Sequence, residues 1–137
     1  MSEMSPRRAR IMREVPYLYI FDDHDFALDD GNKNSIARNA SCEGFRARVP
    51  IAPILSGTTD PVYWLKRIGR CVLIVTDLRS AKDDKTATDD AEKSMMGATQ
   101  KAWFKDILSE NDGCFFFWAS SSPYHQAQTA NSDQWGG

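Results

Sequence analysis

The sequence predicts an α/β (α+β) chain, a mixed sheet with flanking helices, and three observations carry that prediction. Residues 15–21, 71–78 and 114–119 are short runs rich in β-branched and aromatic side chains, apolar on both faces, as in buried strands. Residues 71–119 read strand, helix, strand, the order of a β-α-β unit with parallel pairing and a right-handed crossover. Residues 62–68 and 71–78 are separated only by Gly69-Arg70, which predicts a tight antiparallel hairpin.

Taken in order, Ser5-Pro6 before residues 7–14 predicts a short helix with proline at its first position. The first strand, 15–21, places Tyr17, Tyr19 and Phe21 on one face and Leu18 and Ile20 on the other, so it is expected to be buried on both sides. Residues 22–33 read as a loop, with strong turn chemistry at Asp29-Asp30-Gly31-Asn32. A helix is expected from about 34 to 48, its core stripe formed by Ile36, Ala40, Phe45 and Val49. Gly44 weakens that helix by about 1 kcal/mol relative to alanine. Pro50 and Pro53 end it, and residues 57–61 form a turn. The run 71–78 is the most apolar and is expected to be central in the sheet, whereas 80–93 is charged and reads as an exposed, mobile loop. Residues 97–110 give the clearest helix. There Trp103 with Ile107, and Phe104 with Leu108, repeat at i+4 toward the core, and Asn111-Asp112-Gly113 stops the helix.

With 137 residues and 42% hydrophobic content, the chain is one modest domain or part of a larger one. A net charge of −2 gives no general attraction to nucleic acid or to an anionic membrane. Arg7, Arg8, Arg10 and Arg13 read as one face of the first helix. The residues after Arg7-Arg8 are charged and lack the apolar core of an export leader. No run approaches the ~20 apolar residues of a membrane span. Cys42, Cys71 and Cys114 are odd in number and widely spaced, which fits neither a zinc framework nor a disulfide ladder. Cys71 and Cys114, each at the start of an apolar run, are expected to be buried.

Three expected strands end in polar groups: Asp22-Asp23-His24-Asp25, Asp77 to Ser80, and Ser120 to Ser122. In an open α/β sheet, ligands sit outside the carboxyl ends of the strands. Three carboxylates beside an imidazole offer hard oxygen ligands and a proton donor in one place. The competing reading is a polar loop whose aspartates satisfy nearby backbone donors.

With that cluster placed after a strand, the chain resembles the PhoD-like alkaline phosphatases of the calcineurin-like metallophosphoesterase superfamily. Asp77-Leu78-Arg79-Ser80 is similar to the family's Asp-Thr-Arg-Ser segment, preceded here by Arg67-Ile68-Gly69-Arg70. The stretch from Met96 through Gly97, Gln100, Trp103 and Phe104 is similar to its Leu-Gly-x-x-Gln-x-x-Trp-Leu helix. Asp133-Gln134-Trp135-Gly136-Gly137 resembles the start of its Asp-x-Trp-x-Gly-Tyr segment. The resemblance implies a sandwich of two packed sheets flanked by helices, a two-metal centre, and hydrolysis of phosphate mono- or diesters. By the same match Asp23 is a metal ligand, with Asp22 a ligand or a support for one. His24 protonates the leaving oxygen, and Arg79 either grips phosphate or forms a structural ion pair. Hard carboxylates suit Ca, Fe or Mn. Family members are often exported.

The chain also departs from that pattern. It contains no Gly-Asp and no Gly-His dipeptide and has two histidines, so the ligand motifs expected upstream and downstream are missing. Residues 1–137 are therefore expected to be the central part of a single domain, holding one of three ligand segments. The exposed sheet edges of such a piece favour association. The alternative to an enzyme is a truncated or degenerate domain that folds, or binds a partner, without a complete two-metal site. A Ser121–His125 triad is disfavoured because no Gly-x-Ser-x-Gly elbow is present.

Overall fold

The computed structural model describes residues 5–27, 29–49 and 61–124. Helix α1, Pro6–Glu14, starts where proline's missing N–H costs nothing, with the Ala9 amide bonded to Ser5 O at 3.0 Å. Residues 16–22 join no sheet, so the first strand expected from the sequence is absent among the described residues. Val15, Tyr17, Leu18 and Tyr19 are exposed and only Phe21 reaches the core. Two apolar faces identify an extended chain; a strand also needs a neighbour to take up its N–H and C=O groups.

Next come the single turn α2, Asp23–Phe26, and helix α3, Arg38–Arg48. Helix α3 begins four residues later than the sequence suggests, because local side chains capture the backbone first. The Asn32 amide donates to Ser35 Oγ at 3.1 Å, and the Asn34 amide donates to Asn32 Oδ1 at 3.0 Å. This displaces the expected stripe: Ile36 and Ala40 are exposed, and Cys42 and Phe45 are buried, with Val49 packed against them. Residues 50–60, with Pro50 and Pro53, lie outside the described residues, as do residues 125–137 with His125.

Strands β1, Trp64–Ile68, and β2, Cys71–Val75, pair antiparallel around Gly69, whose φ of 60° favours glycine. Helix α4, Gly97–Glu110, returns the chain so that β3, Phe115–Ala119, pairs parallel with β2. The sheet order β1-β2-β3 puts β2 in the centre, and the α+β class with a mixed sheet stands as expected. Among the described residues strand β3 is an edge, with Phe115 63% and Phe117 57% exposed, so the expectation that it is buried is not met there. A run of apolar residues reports that a strand forms, and leaves its place in the sheet open. Cys71 and Cys114 are accordingly half-buried, and Leu108 faces outward while Ile107 is buried.

Two small cores form among the described residues. One joins Val72, Ile74 and Ile107, with Trp103, Phe104 and Leu65 packed against it. The other joins Phe21, Phe26, Cys42, Phe45 and Val62. In it Phe21 meets Phe26 and Phe45 edge-on, at centroid distances of 5.6 and 5.0 Å. Phe21 and Phe26 flank the acidic cluster in sequence, so burying both anchors the turn between them.

The stretch 80–93 is less exposed than expected, since Ser80 and Lys82 are buried. A clasp ties it to residues 30–33: the Lys33 amide donates to Lys82 O at 3.0 Å, Lys33 Nζ pairs with Asp83, and Asn32 Nδ2 donates to Asp84 at 3.0 Å. The hydrogen bond from Lys33, then that from the Ser94 amide, hold the Asp83 carboxyl below its usual range. A depressed folded-state pKa stabilises the clasp above the ordinary carboxylate value, and that contribution is lost as pH falls through the folded value. Hydrogen exchange at the Lys33 and Ser94 amides, corrected for intrinsic rates, should therefore show full protection above the ordinary carboxylate value and lose it in acid, at a pH below that value. Protection unchanged down to full protonation of the carboxylates would disprove the part of the clasp assigned to Asp83.

Candidate functional site

The polar cluster sits at the junction of α2 with the turn that follows β2. Asp22 precedes α2, and its carbonyl accepts from the Asp25 and Phe26 amides at 3.1 and 3.0 Å. Asp25 is occupied within this turn. Its Oδ2 accepts from the Asp22 amide at 3.2 Å and its Oδ1 from the Tyr19 hydroxyl at 2.9 Å. It serves the loop, as the competing reading of the sequence held for aspartates of this kind.

Asp23 and His24 form a close pair. Asp23 Oδ1 lies 2.7 Å from His24 Nδ1 and also accepts from the His24 amide at 2.7 Å. The Asp23 side chain is 17% exposed and the imidazole 85%. Burial opposes ionisation of Asp23, but the His24 hydrogen bonds and the nearby Arg79 charge outweigh it and hold the carboxyl below its ordinary value. The Asp23 hydrogen bond, then its charge, hold the His24 imidazolium above its ordinary value. A carboxylate on Nδ1 fixes the tautomer and leaves Nε2 facing outward as the proton-exchanging nitrogen.

Asp22 and Arg79, 57 residues apart, form an ion pair. Arg79 donates through Nε at 2.9 Å and Nη2 at 2.8 Å to a single oxygen, Asp22 Oδ1. The guanidinium is 3% exposed. Helix α3 supports the junction from the other side: Arg38 Nε donates to Ser80 O at 2.8 Å, and Ser41 Oγ donates to Phe26 O. The third polar strand end stays beside β2, where Thr76 Oγ1 donates to Ala119 O at 3.3 Å.

A model of the PhoD-like phosphatase family matches residues 2–137. The chain belongs to that family. No curated protein and no solved structure gives a match. PhoD-like phosphatases act on phosphate esters with the help of metal ions. Among the described residues, no three histidine, cysteine, aspartate or glutamate side chains converge on one point. Asp25 is taken up by Tyr19 and the Asp22 amide, and Asp22 by Arg79. The Asp23 carboxylate is of the hard oxygen type that suits such an ion.

The sequence reading placed Asp22, Asp23, His24 and Arg79 in the site, and the structure brings these four together. It named Asp77 as a polar strand end and Gln100 within the family-like helix segment, but not their part in building the turn that carries Arg79. The available signal was Gln100 itself, a polar residue on the helical face that continues through Trp103 and Ile107.

Proposed function

We propose that this chain supplies the leaving-group side of a metal-dependent active site that hydrolyses phosphate mono- or diesters. The observation that carries the reading is His24, held at Nδ1 by Asp23 at 2.7 Å with its ring 85% exposed. Asp23 would hold a hard ion such as Ca, Fe or Mn through its carboxylate. When bound, the metal supplies Lewis acidity and a water of lowered pKa. His24 gives its Nε2 proton to the leaving oxygen while Nδ1 stays bonded to Asp23, which keeps the ring in line. Asp22 and Arg79 neutralise each other and hold α2 beside β2. In this reading residues 1–137 are the central part of one PhoD-like domain, and further ligand segments complete the centre.

The test is metal content together with hydrolysis of an aryl phosphate monoester and a diester by the purified protein, its coding sequence extended to any further ligand segments. Hydrolysis that a chelator abolishes and Ca, Mn or Fe restores is expected, and Asp23→Asn should lower it by about 100-fold or more. A folded chain that binds less than one metal and hydrolyses neither ester would overturn the enzyme reading. It would favour the second reading, a non-catalytic domain that folds or binds a partner.

A further inference from the structure

Gln100, Asp77 and Arg79 form a chain of contacts that ends at the site. Gln100 is buried in the first turn of α4, and its amide clasps the Asp77 backbone from both sides. Oε1 accepts from the Asp77 amide at 2.9 Å, and Nε2 donates to the Asp77 carbonyl at 2.7 Å. The side chain thus replaces a neighbouring strand just beyond the point where β2 has ended. Nε2 also donates to Met96 O at 3.3 Å, tying the clasp to the start of its own helix. The Asp77 carboxylate then bends the chain by accepting the Arg79 and Ser80 amides, each at 2.9 Å. That bend directs the Arg79 guanidinium onto Asp22 Oδ1. A planar guanidinium placing two N–H groups on one oxygen fixes direction as well as distance. Asp22 in turn sets the position of α2 through the Asp25 and Phe26 amides.

We propose that Gln100 and Arg79 are positioning residues for the Asp23–His24 pair, Gln100 acting through the Asp77 turn and Arg79 through Asp22. The catalytic meaning of this rests on the function proposed above, whereas the coupling itself is measurable without turnover. A phosphate seeking Arg79 would have to displace Asp22, so the guanidinium serves the protein.

The experiment uses backbone amide spectra and hydrogen exchange of the full chain. Gln100→Leu should move the amides of residues 77–80 and of residues 22–26. It should also speed exchange at Asp25 and Phe26 by about an order of magnitude. Arg79→Lys should move residues 22–26 and leave Asp77 and Leu78 in place. Ile107→Val, matched for loss in melting temperature, should leave both sets unmoved. Should Gln100→Leu fail to fold, Gln100→Glu keeps the acceptor for the Asp77 amide, removes the donor, and is read in its place. A Gln100 variant that moves 77–80 while 22–26 stay fixed would overturn the proposal, as would an Arg79→Lys spectrum unchanged at 22–26. In turnover, both variants should lower kcat at unchanged KM, and a change confined to KM would overturn the proposal by assigning Arg79 to substrate. A His24→Ala variant that retains full turnover of an alkyl phosphate would remove the catalytic reading and leave the spectral coupling standing, so the two failures are distinguishable.

Discussion

Replacing Asp77 by alanine is expected to lower the unfolding free energy by more than about 4 kcal/mol, enough to leave the chain largely unfolded. The carboxylate is fully buried, and its two oxygens take donors from three places. Oδ1 accepts the Arg79 and Ser80 amides, both at 2.9 Å; Oδ2 accepts the Val62 amide at 2.8 Å and the Ser80 hydroxyl. Alanine orphans three amides at once, and each buried donor without a partner costs about 1–3 kcal/mol. Even with partial relaxation the sum reaches the lower end of the total stability of a small domain, about 5 kcal/mol. The loss would also separate Val62, in the core beneath α2, from the end of β2. Asparagine tests the account more finely. With its oxygen on the Arg79 and Ser80 amides, its NH2 faces a hydroxyl that can turn to accept and one amide that cannot. Asp77→Asn should therefore cost about what one orphaned donor costs, roughly 1–3 kcal/mol. Urea unfolding followed by tryptophan fluorescence measures both. An alanine variant within about 1 kcal/mol of the parent would show that the turn does not depend on this carboxylate.

The parts of this structure that the sequence revealed were those decided within a few residues. Gly69-Arg70 between two apolar runs fixed the hairpin, and the i+4 pairs with Gly113 beyond them fixed α4 and its end. The failures needed information from far along the chain. Residues 16–21 have strand-like side chains and no partner strand among the described residues, and nothing in Tyr17 or Leu18 announces that. Phe115 and Phe117 read as core because an edge strand and a central one share a composition. Helix α3 was placed too early because Asn32 and Ser35 compete locally with the helix, and propensity alone does not weigh that competition. In the site, Asp23 and His24 were legible because they adjoin. The Asp22–Arg79 pair spans 57 residues, and the sequence offered an ion pair for Arg79 without showing that Asp22 is its partner. Gln100 stayed silent because one amide among apolar neighbours acquires meaning only when the Asp77 backbone it clasps is seen.

His24→Ala should give the largest effect on turnover, and the effect should depend on the leaving group. General acid catalysis contributes about 10²- to 10⁴-fold where the departing oxygen needs a proton. An alkyl phosphate should therefore lose rate within that range, whereas an activated aryl phosphate, whose leaving group departs as the anion, should lose little. The side chain is 85% exposed, and its removal frees Asp23 Oδ1 of one hydrogen bond while leaving the His24 amide bond to the same oxygen in place. The fold should thus be untouched, and the melting temperature should match the parent, so that a change in kcat reports chemistry. Asp23→Asn weakens both the metal ligand and the partner that holds Nδ1, so it should slow aryl and alkyl esters alike. On alkyl esters the double variant should then be less than additive by the part that the oriented ring contributes. Rates measured across a series of esters of decreasing leaving ability give the decisive quantity, a slope that steepens when His24 is removed. A parallel slope, with every ester slowed equally, would mean that His24 shapes the site without moving a proton, and the role assigned to its Nε2 would be withdrawn.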